Sequence, residues 1–422
     1  MAIILFGMFI ALLAVGVPVG FSICSAAGIT LFAGLGDAKM MMLAQRMFVA
    51  CDSFSLIAVP FFIFAGDLLA GGKISKVLVE FCESLLDMIK GGLSVVSVLA
   101  GMFFAAISGS GAATTAAVGA TLVPELKKRG YKEDQAAALI AAAGTIGVVI
   151  PPSVPMVLYA VIAEESVNKL FQAGFLPGAL MGAVLIAIAL FQAYKYNYPK
   201  GAALNIKNVV STFLRAIPGI LMPLIILGGI FSGYFTPSEA AAVAVISALL
   251  VSTFVYKDMT WKKLYATMLG SAKTSAVIMI ILACSGPFGW ALANWKIPET
   301  ISAAVLSVSS NKYIILFLIS VIILIAGVFM ETSSAIILLT PVFLPLIRAL
   351  GISTLHFGIL FVVGIAIGMI TPPVAINLFV ASGITNLPLT KISKAVIPYL
   401  SGLIIVFLFI VYGPLFIPGF IG

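Results

Sequence analysis

The sequence predicts an all-α integral membrane protein made of two inverted-topology repeats, each with a re-entrant hairpin and a span broken at Pro-Pro. Three observations predict it. Of 422 residues, 62% are hydrophobic and only 9% charged, where soluble domains run at about half apolar and a quarter charged. Apolar runs near the roughly 20 residues a helix needs to cross a bilayer recur along the chain, without the period-2 alternation of a membrane barrel. Glycines and prolines of the first half recur in the second at an offset of 221 residues.

The recurrence pairs Pro124 with Pro345, Gly130 with Gly351, Gly147 with Gly368, Pro151-Pro152 with Pro372-Pro373 and Pro177 with Pro398. Near the start the offset is 219, from Pro18 to Pro237. Helix-breaking residues repeated at one spacing mark a duplicated unit. The repeats are read as residues 1–195 and 211–422, joined by a cytoplasmic linker at 196–210.

Each repeat opens with two spans, at 2–15 and 17–35, then at 216–232 and 236–256. Met1-Ala-Ile-Ile-Leu-Phe lacks the basic start of a signal peptide, so the first run is read as a retained span. Thr236-Pro-Ser-Glu239 is a capping box at a helix start. Third spans at 55–70 and 272–291 lead into amphipathic stretches at 73–90 and 294–310, which suit the membrane interface.

Next come apolar runs interrupted by small polar residues, Ile107-Ser-Gly-Ser-Gly-Ala-Ala-Thr-Thr115 and Met330-Glu-Thr-Ser-Ser334. Neither arm is long enough for a comfortable crossing and return, so both are read as re-entrant hairpins, at about 91–126 and 312–347. Non-helical backbone survives at that depth only when it is buried in protein or lines a cavity. Spans at 133–163 and 354–386 follow, broken at Ile150-Pro-Pro-Ser153 and Thr371-Pro-Pro-Val374, where proline removes a donor and clashes with the preceding turn. Uninterrupted spans at 171–194 and 395–417 close the repeats.

Five crossings and a hairpin per repeat is an odd count, so the second copy is inverted. Charge tests this independently. With the base of the first hairpin cytoplasmic, the inside loops hold 16 Lys or Arg. The outside loops hold six, at Lys39, Arg46, Lys169, Lys296, Lys312 and Arg348, with Lys273 unassigned. The equivalent loops Lys127-Lys-Arg-Gly-Tyr-Lys132 and Arg348-Ala-Leu-Gly-Ile-Ser353 carry four and one. The positive-inside rule agrees with the parity count and places both termini outside. The same loops account for the net charge of +8, so no nucleic-acid partner is implied.

A broken helix exposes N–H groups at one half-helix start and carbonyls at the other's end. The first attract anions, and the second replace the hydration shell of a cation. Candidate cation positions are Ser108, Gly109 and Ser110 with Thr145, Gly147 and Val148. In the second repeat they are Glu331 and Thr332, facing Gly364, Gly368 and Thr371. Candidate substrate contacts are Thr114, Thr115, Ser153, Ser333, Ser334 and Asn377. For any one of these the competing reading is close helix packing through small side chains. Packing alone does not explain why both interruptions recur at matching positions with a double proline downstream. Glu331 at mid-membrane has three readings: a cation ligand, a proton carrier, or a cap on the second hairpin arm.

Other residues read plainly. Asp67 lies near a cytoplasmic helix end, meeting water. His356, the lone histidine, falls in an outside loop, and the four cysteines are scattered packing residues. Neither HExxH nor a phosphate loop occurs, which removes zinc proteolysis and ATP hydrolysis. A serine protease at Ser108 or Ser110 lacks a base.

Four segments, Gly16-Val-Pro-Val-Gly20, Ser108-Gly-Ser-Gly-Ala112, Ile150-Pro-Pro-Ser153 and Gly233-Tyr-Phe-Thr-Pro-Ser-Glu-Ala-Ala-Ala-Val-Ala244, carry a specific likeness. Through them nearly the whole chain resembles the large membrane subunit of tripartite ATP-independent periplasmic (TRAP) transporters. The resemblance implies a sodium-coupled importer of carboxylates in the bacterial inner membrane, with at least two sodium ions for two quasi-equivalent sites. It also implies a separate small four-helix membrane subunit and a periplasmic substrate-binding protein. The family's likeness to divalent-anion/sodium symporters implies an elevator mechanism, with residues 91–163 and 312–386 moving against the spans that open each repeat. Family substrates include C4-dicarboxylates, sialic acid and other organic acids; sialic acid is the working expectation, though no residue selects it. Proton coupling through Glu331 is the alternative, and a channel the more distant one.

Overall fold

The computed structural model describes residues 1–36, 40–70, 72–201, 203–308 and 311–416, and every regular element among them is helical. Lys39, Ser309 and Ser310 of the second amphipathic stretch, and Ile417 at the end of the closing span lie outside these. The first half of the chain contains α1 (Ala2–Ala14), α2 (Val19–Leu35), α3 (Met41–Cys51), α4 (Ala58–Ala70), α5 (Lys73–Leu86), α6 (Gly92–Ser108), α7 (Gly111–Lys128), α8 (Glu133–Thr145), α9 (Val154–Ala163) and α10 (Val167–Lys195). The second contains α11 (Ile206–Phe231), α12 (Pro237–Leu250), α13 (Trp261–Asn294), α14 (Ile297–Val308), α15 (Lys312–Phe329), α16 (Thr332–Ala349), α17 (Thr354–Gly368), α18 (Ile376–Thr385) and α19 (Leu389–Phe416).

Among the described residues, seven helices are long and apolar enough to cross a membrane alone: α10, α11, α12 with its extension to Val255, α13, α15, α16 and α19. Others are too short, and they come in broken pairs. α8 and α9 are separated by the turn holding Pro151-Pro152, and α17 and α18 by the turn holding Pro372-Pro373. Three boundaries differ from expectation. The segment read as the loop around Arg46 is helix α3, which joins the α4 segment at a 66° bend. Its charge misled the reading; the Arg46 guanidinium sits over the Trp290 ring, 5.7 Å from its centroid, a cation–π contact. α13 is one 34-residue helix beginning well before residue 272. The arms of the second hairpin, α15 and α16, are 18 residues each, long and apolar enough to cross a membrane, so arm length does not make that hairpin re-entrant.

Packing divides the helices into two interlocked groups. In one, α13 lies against α2, α3 and α4, α12 packs on α4, and α5 lies along α11. The amphipathic α5 does this with Ile74, Leu78, Val79 and Cys82 buried at helical spacing. In the other group each hairpin's second arm meets the post-proline helix of the other half of the chain: α7 packs on α18 and α16 on α9. At its centre run α8 and α17, buried continuously over residues 136–145 and 356–368. Helices apolar on all sides belong in such an interior. His356 is therefore not in a loop: it is buried in α17, its Nε2–H donating to the Ile410 carbonyl at 2.9 Å.

At the base of the first hairpin, Arg129 bonds Glu83 and Asp87 of the α5 region and Glu125 of α7. Burial lifts the Glu83 carboxyl above its ordinary range despite the guanidinium beside it. The capping box is present: Thr236 Oγ1 accepts from Glu239 N at 3.3 Å, and Glu239 Oε2 accepts from Thr236 N at 2.8 Å.

α15 and α17 touch backbone to backbone. A Cβ on Gly368 would stand 2.4 Å from the Gly327 carbonyl carbon, closer than any real contact. Gly368→Ala is therefore expected to destabilise the protein by about 1–3 kcal/mol through overpacking, read as a lowered unfolding midpoint in detergent.

Candidate functional site

Ser110 and Glu331 place the two hairpin tips. At the first, Gly109 ends α6 in the left-handed region (φ +59°), which favours glycine. A Cβ there would also lie 2.8 Å from the Pro152 carbonyl oxygen, so this tip rests on the Pro-Pro turn. Ser110 caps α7, accepting from Ala113 N at 3.4 Å. At the second tip Glu331 caps α16: its carboxylate accepts from Ser333 N (2.9 Å), Ser334 N (3.1 Å) and the Ser333 (3.1 Å) and Ser334 (3.5 Å) hydroxyls. Met369 spans the two tips. Its Sδ lies 3.5 Å from Thr332 Oγ1, and its Cε lies 2.9 Å from where a Cβ on Gly111 would be.

The tips enclose a cavity of about 280 Å³. Four helix N-termini converge on it. Gly111 and Ala112 come from the start of α7, Val154 and Pro155 from α9, Thr332 and Ser333 from α16, and Ile376 from α18. Each start carries backbone N–H groups without helical acceptors and roughly half a positive charge from the helix dipole. Pro155 has no N–H, which leaves Val154 to donate at α9. C-terminal ends face the same space: Ser108 and Gly109 at the end of α6, Val148 in the short turn after α8, and Met369 capping α17. The fourth wall is α4 and α13, through Ile63, Asp67, Thr274 and Ile278.

Of the sequence-proposed positions, Ser108, Gly109, Ser110, Val148, Glu331, Thr332 and Ser333 line this cavity, as does Gly111. The rest do not line it, and most of their polar groups are used locally. Thr114 Oγ1 meets Ser108 Oγ (2.9 Å) and donates to the Ser110 carbonyl (2.8 Å). Thr115, Thr145 and Thr371 donate to the carbonyls of Gly111, Ala142 and Ile367, and Ser153 to that of Val148. Ser334 serves the Glu331 cap. Gly147 is a contact position, since a Cβ there would lie 2.7 Å from the Ser110 oxygen; one on Gly364 would meet Ile323 and Phe407. Asn377 is fully buried: its Nδ2 donates to the Ala141 carbonyl at 3.2 Å, while its Oδ1 has no partner.

An oxygen-only cluster exists at the first tip: the Ser108 and Thr114 hydroxyls and the Ser110 carbonyl, lying against the Gly147 backbone. Such a donor set suits a hard cation. Sequence reasoning missed the α4–α13 wall. Asp67, expected in water at a helix end, faces the cavity with its Oδ2 accepting from the buried Ser271 hydroxyl at 2.6 Å. A carboxylate inside an apolar run, Phe61-Phe-Ile-Phe-Ala-Gly-Asp67-Leu-Leu69, was the available signal. Ala375, at φ +49° beside the second Pro-Pro turn, was also missed.

Comparison with known proteins places this geometry in context. The family model for the tripartite ATP-independent periplasmic transporter, DctM component, matches residues 6–416. The chain is 40% identical over 413 residues to the isethionate TRAP transporter permease protein DctMQ of Oleidesulfovibrio alaskensis, covering 97% of this chain and 65% of that protein. It thus spans just under two thirds of that relative's length. It is 38% identical over 383 residues to the C4-dicarboxylate TRAP transporter large permease protein DctM of Pseudomonas aeruginosa, 90% of each chain being covered. The fold is shared with the YdaH transporter of Alcanivorax borkumensis, at TM-score 0.67 and 14% identity over 91% of this chain and 90% of that one.

Because the Glu331 carboxylate serves as a helix cap, Glu331→Ala is expected to cost about 0.5–2 kcal/mol. Glu331→Gln, whose amide oxygen still accepts, is expected to retain most of that stability. Thermal unfolding of the two variants side by side checks the assignment.

Proposed function

The chain belongs to the DctM component of the tripartite ATP-independent periplasmic transporters, a family of membrane permeases, and from that premise we propose that it carries out sodium-driven import of a small organic anion across the bacterial inner membrane. The observation that carries this reading is the convergence of four helix N-termini on one cavity. Backbone N–H groups at helix starts bind carboxylate, phosphate or sulfonate oxygens without a basic side chain. The isethionate relative widens the expected class from carboxylates to small organic anions, sulfonates included. No contact at the cavity singles out sialic acid.

The Ser108–Ser110–Thr114 cluster beside Gly147 and Val148 would hold one sodium ion. Thr332, with the end of α17, offers the corresponding place in the second repeat. Glu331 supports sodium over proton coupling, because its carboxylate is already committed to four donors of its own hairpin. Two sodium ions with one monoanion move one net charge inward, worth roughly 2.3 kcal/mol per 100 mV. A tenfold sodium gradient adds roughly 1.4 kcal/mol per ion. In this reading the halves are inverted repeats with outward termini. Residues 91–163 and 312–386 move as an elevator against the α2–α4, α11–α13 scaffold. A small four-helix membrane subunit and a periplasmic binding protein complete the transporter.

The test is uptake into sodium-free liposomes holding the chain with its small subunit, supplied with binding protein and labelled isethionate, succinate or sialic acid. Uptake of at least one probe is expected only with an inward sodium gradient. Ser110→Phe and Thr332→Phe, which fill the tips, should each lower it about tenfold or more. Uptake that follows a pH gradient and ignores sodium would refute the coupling.

A further inference from the structure

A site for anions that is walled on one side by an unpaired carboxylate needs an explanation. Asp67 lines the cavity opposite the helix starts, one oxygen held by Ser271. Among the described residues no lysine or arginine lies within ion-pair distance of it. The other carboxylate present, Glu331, is spent on its own hairpin. Asp67 is therefore the carboxylate on this cavity that is not spent on capping a helix, and it faces the space where the anion is carried.

We propose that Asp67 is a release residue: a scaffold carboxylate that faces the bound anion only in the cytoplasm-facing state and lowers its affinity there. This rests on the anion-import reading above. Asp67 belongs to α4, which is packed on α12 and α13, whereas the helix starts that hold the anion belong to the hairpins and broken spans. The tip of the first hairpin lies directly on this stretch of α4. A Cβ on Gly66 would stand 2.8 Å from Ser108 Cα and 2.9 Å from its carbonyl oxygen. A tip displaced along the membrane normal leaves Gly66, and with it Asp67. The side is set by charge. α4 runs into Lys73 and Lys76, and α13 starts beside Lys262 and Lys263, so this end of both helices is cytoplasmic by the positive-inside rule.

Like charges separated by several ångströms at the low effective dielectric of such a site repel strongly enough to change affinity by an order of magnitude. A charge felt in one state only is a differential interaction, which is what biases an alternating carrier. Here it lowers the occupancy of the discharging state by anion that has accumulated inside, so internal product inhibits import less.

The test is trans-inhibition. Proteoliposomes holding the complete transporter are preloaded with increasing unlabelled probe, the anion found to be transported, and initial uptake is measured. For Asp67→Asn, the internal concentration that halves uptake should fall about tenfold or more, with external half-saturation changing less than about twofold. Asp67→Glu should restore the wild-type value, and Ser271→Ala should leave it within about twofold. An unchanged internal inhibition in Asp67→Asn would overturn the proposal. An equal shift in Ser271→Ala would reduce Asp67 to a structural partner. A raised sodium requirement without any inhibition shift would make it a cation ligand instead. If wild-type uptake proves to follow protons, the coupling reading falls. The same internal shift, measured under that gradient, then still decides the role of Asp67.

Discussion

A backbone N–H or carbonyl without a partner cannot face lipid, because nothing in hydrocarbon replaces the lost hydrogen bond. The helices at the heart of this fold are interrupted at four places, two hairpin tips and two Pro-Pro turns. All four interruptions have to be covered by protein, and the economical cover is one another. That requirement explains why each hairpin's second arm packs on the post-proline helix of the other half of the chain, and why α8 and α17 are buried on every side. The helices outside this group include one further break, the 66° bend between α3 and α4, and the uninterrupted 34-residue α13.

Covering the breaks uses up most of the polar side chains nearby. The hydroxyls of Thr115, Thr145, Thr371 and Ser153 all donate to carbonyls three to five residues earlier, the local bonding expected of Ser and Thr near helix ends. Glu331 does the reciprocal work for donors at the start of α16. The groups left for a ligand are therefore mainly backbone: the N–H groups of Gly111, Ala112, Val154, Thr332 and Ile376, those following them being taken by the caps and by the Met369 carbonyl, and the last carbonyls of other helices. A site made of backbone is positioned by helix geometry, which is rigid, rather than by rotamers.

This division explains which parts were legible in the sequence. The breaks were legible because glycine and proline mark them, and the 221-residue recurrence shows that Gly147 and Gly368, or the two Pro-Pro pairs, are not accidents of one helix. The capping box at Thr236 was legible because its chemistry is local. Ser108, Ser110 and Glu331 reached the cavity as the tip pattern implied, whereas Thr114 and Thr145 did not, since their spacing alone does not say whether a hydroxyl turns to a ligand or to its own helix. Asp67 and Thr274 were illegible because no local pattern says that α4 and α13 form the far wall; tertiary packing assigns that. Arg46 and His356 were misplaced for the same reason. A charged or titratable residue was read as solvent-facing, but a Trp290 ring and the Ile410 carbonyl supply a partner inside.

Breaking a helix has a further consequence that bears on coupling. One break creates a half-helix start and a half-helix end together, a positive pole beside a negative one, separated by a few residues of turn. Starts that attract an anion thus come with ends that attract a cation, and at this cavity the starts of α7, α9, α16 and α18 sit beside the ends of α6 and α17. Two ligands of opposite sign bound at such short range each raise the affinity for the other, and the coupling is reciprocal by thermodynamic necessity. An anion alone would meet the nearby carbonyl ends unbalanced, and a cation alone the N–H starts. Under the proposed coupling such an arrangement would favour the doubly loaded and the empty states over either half-loaded one, the condition a symporter needs to move without leaking.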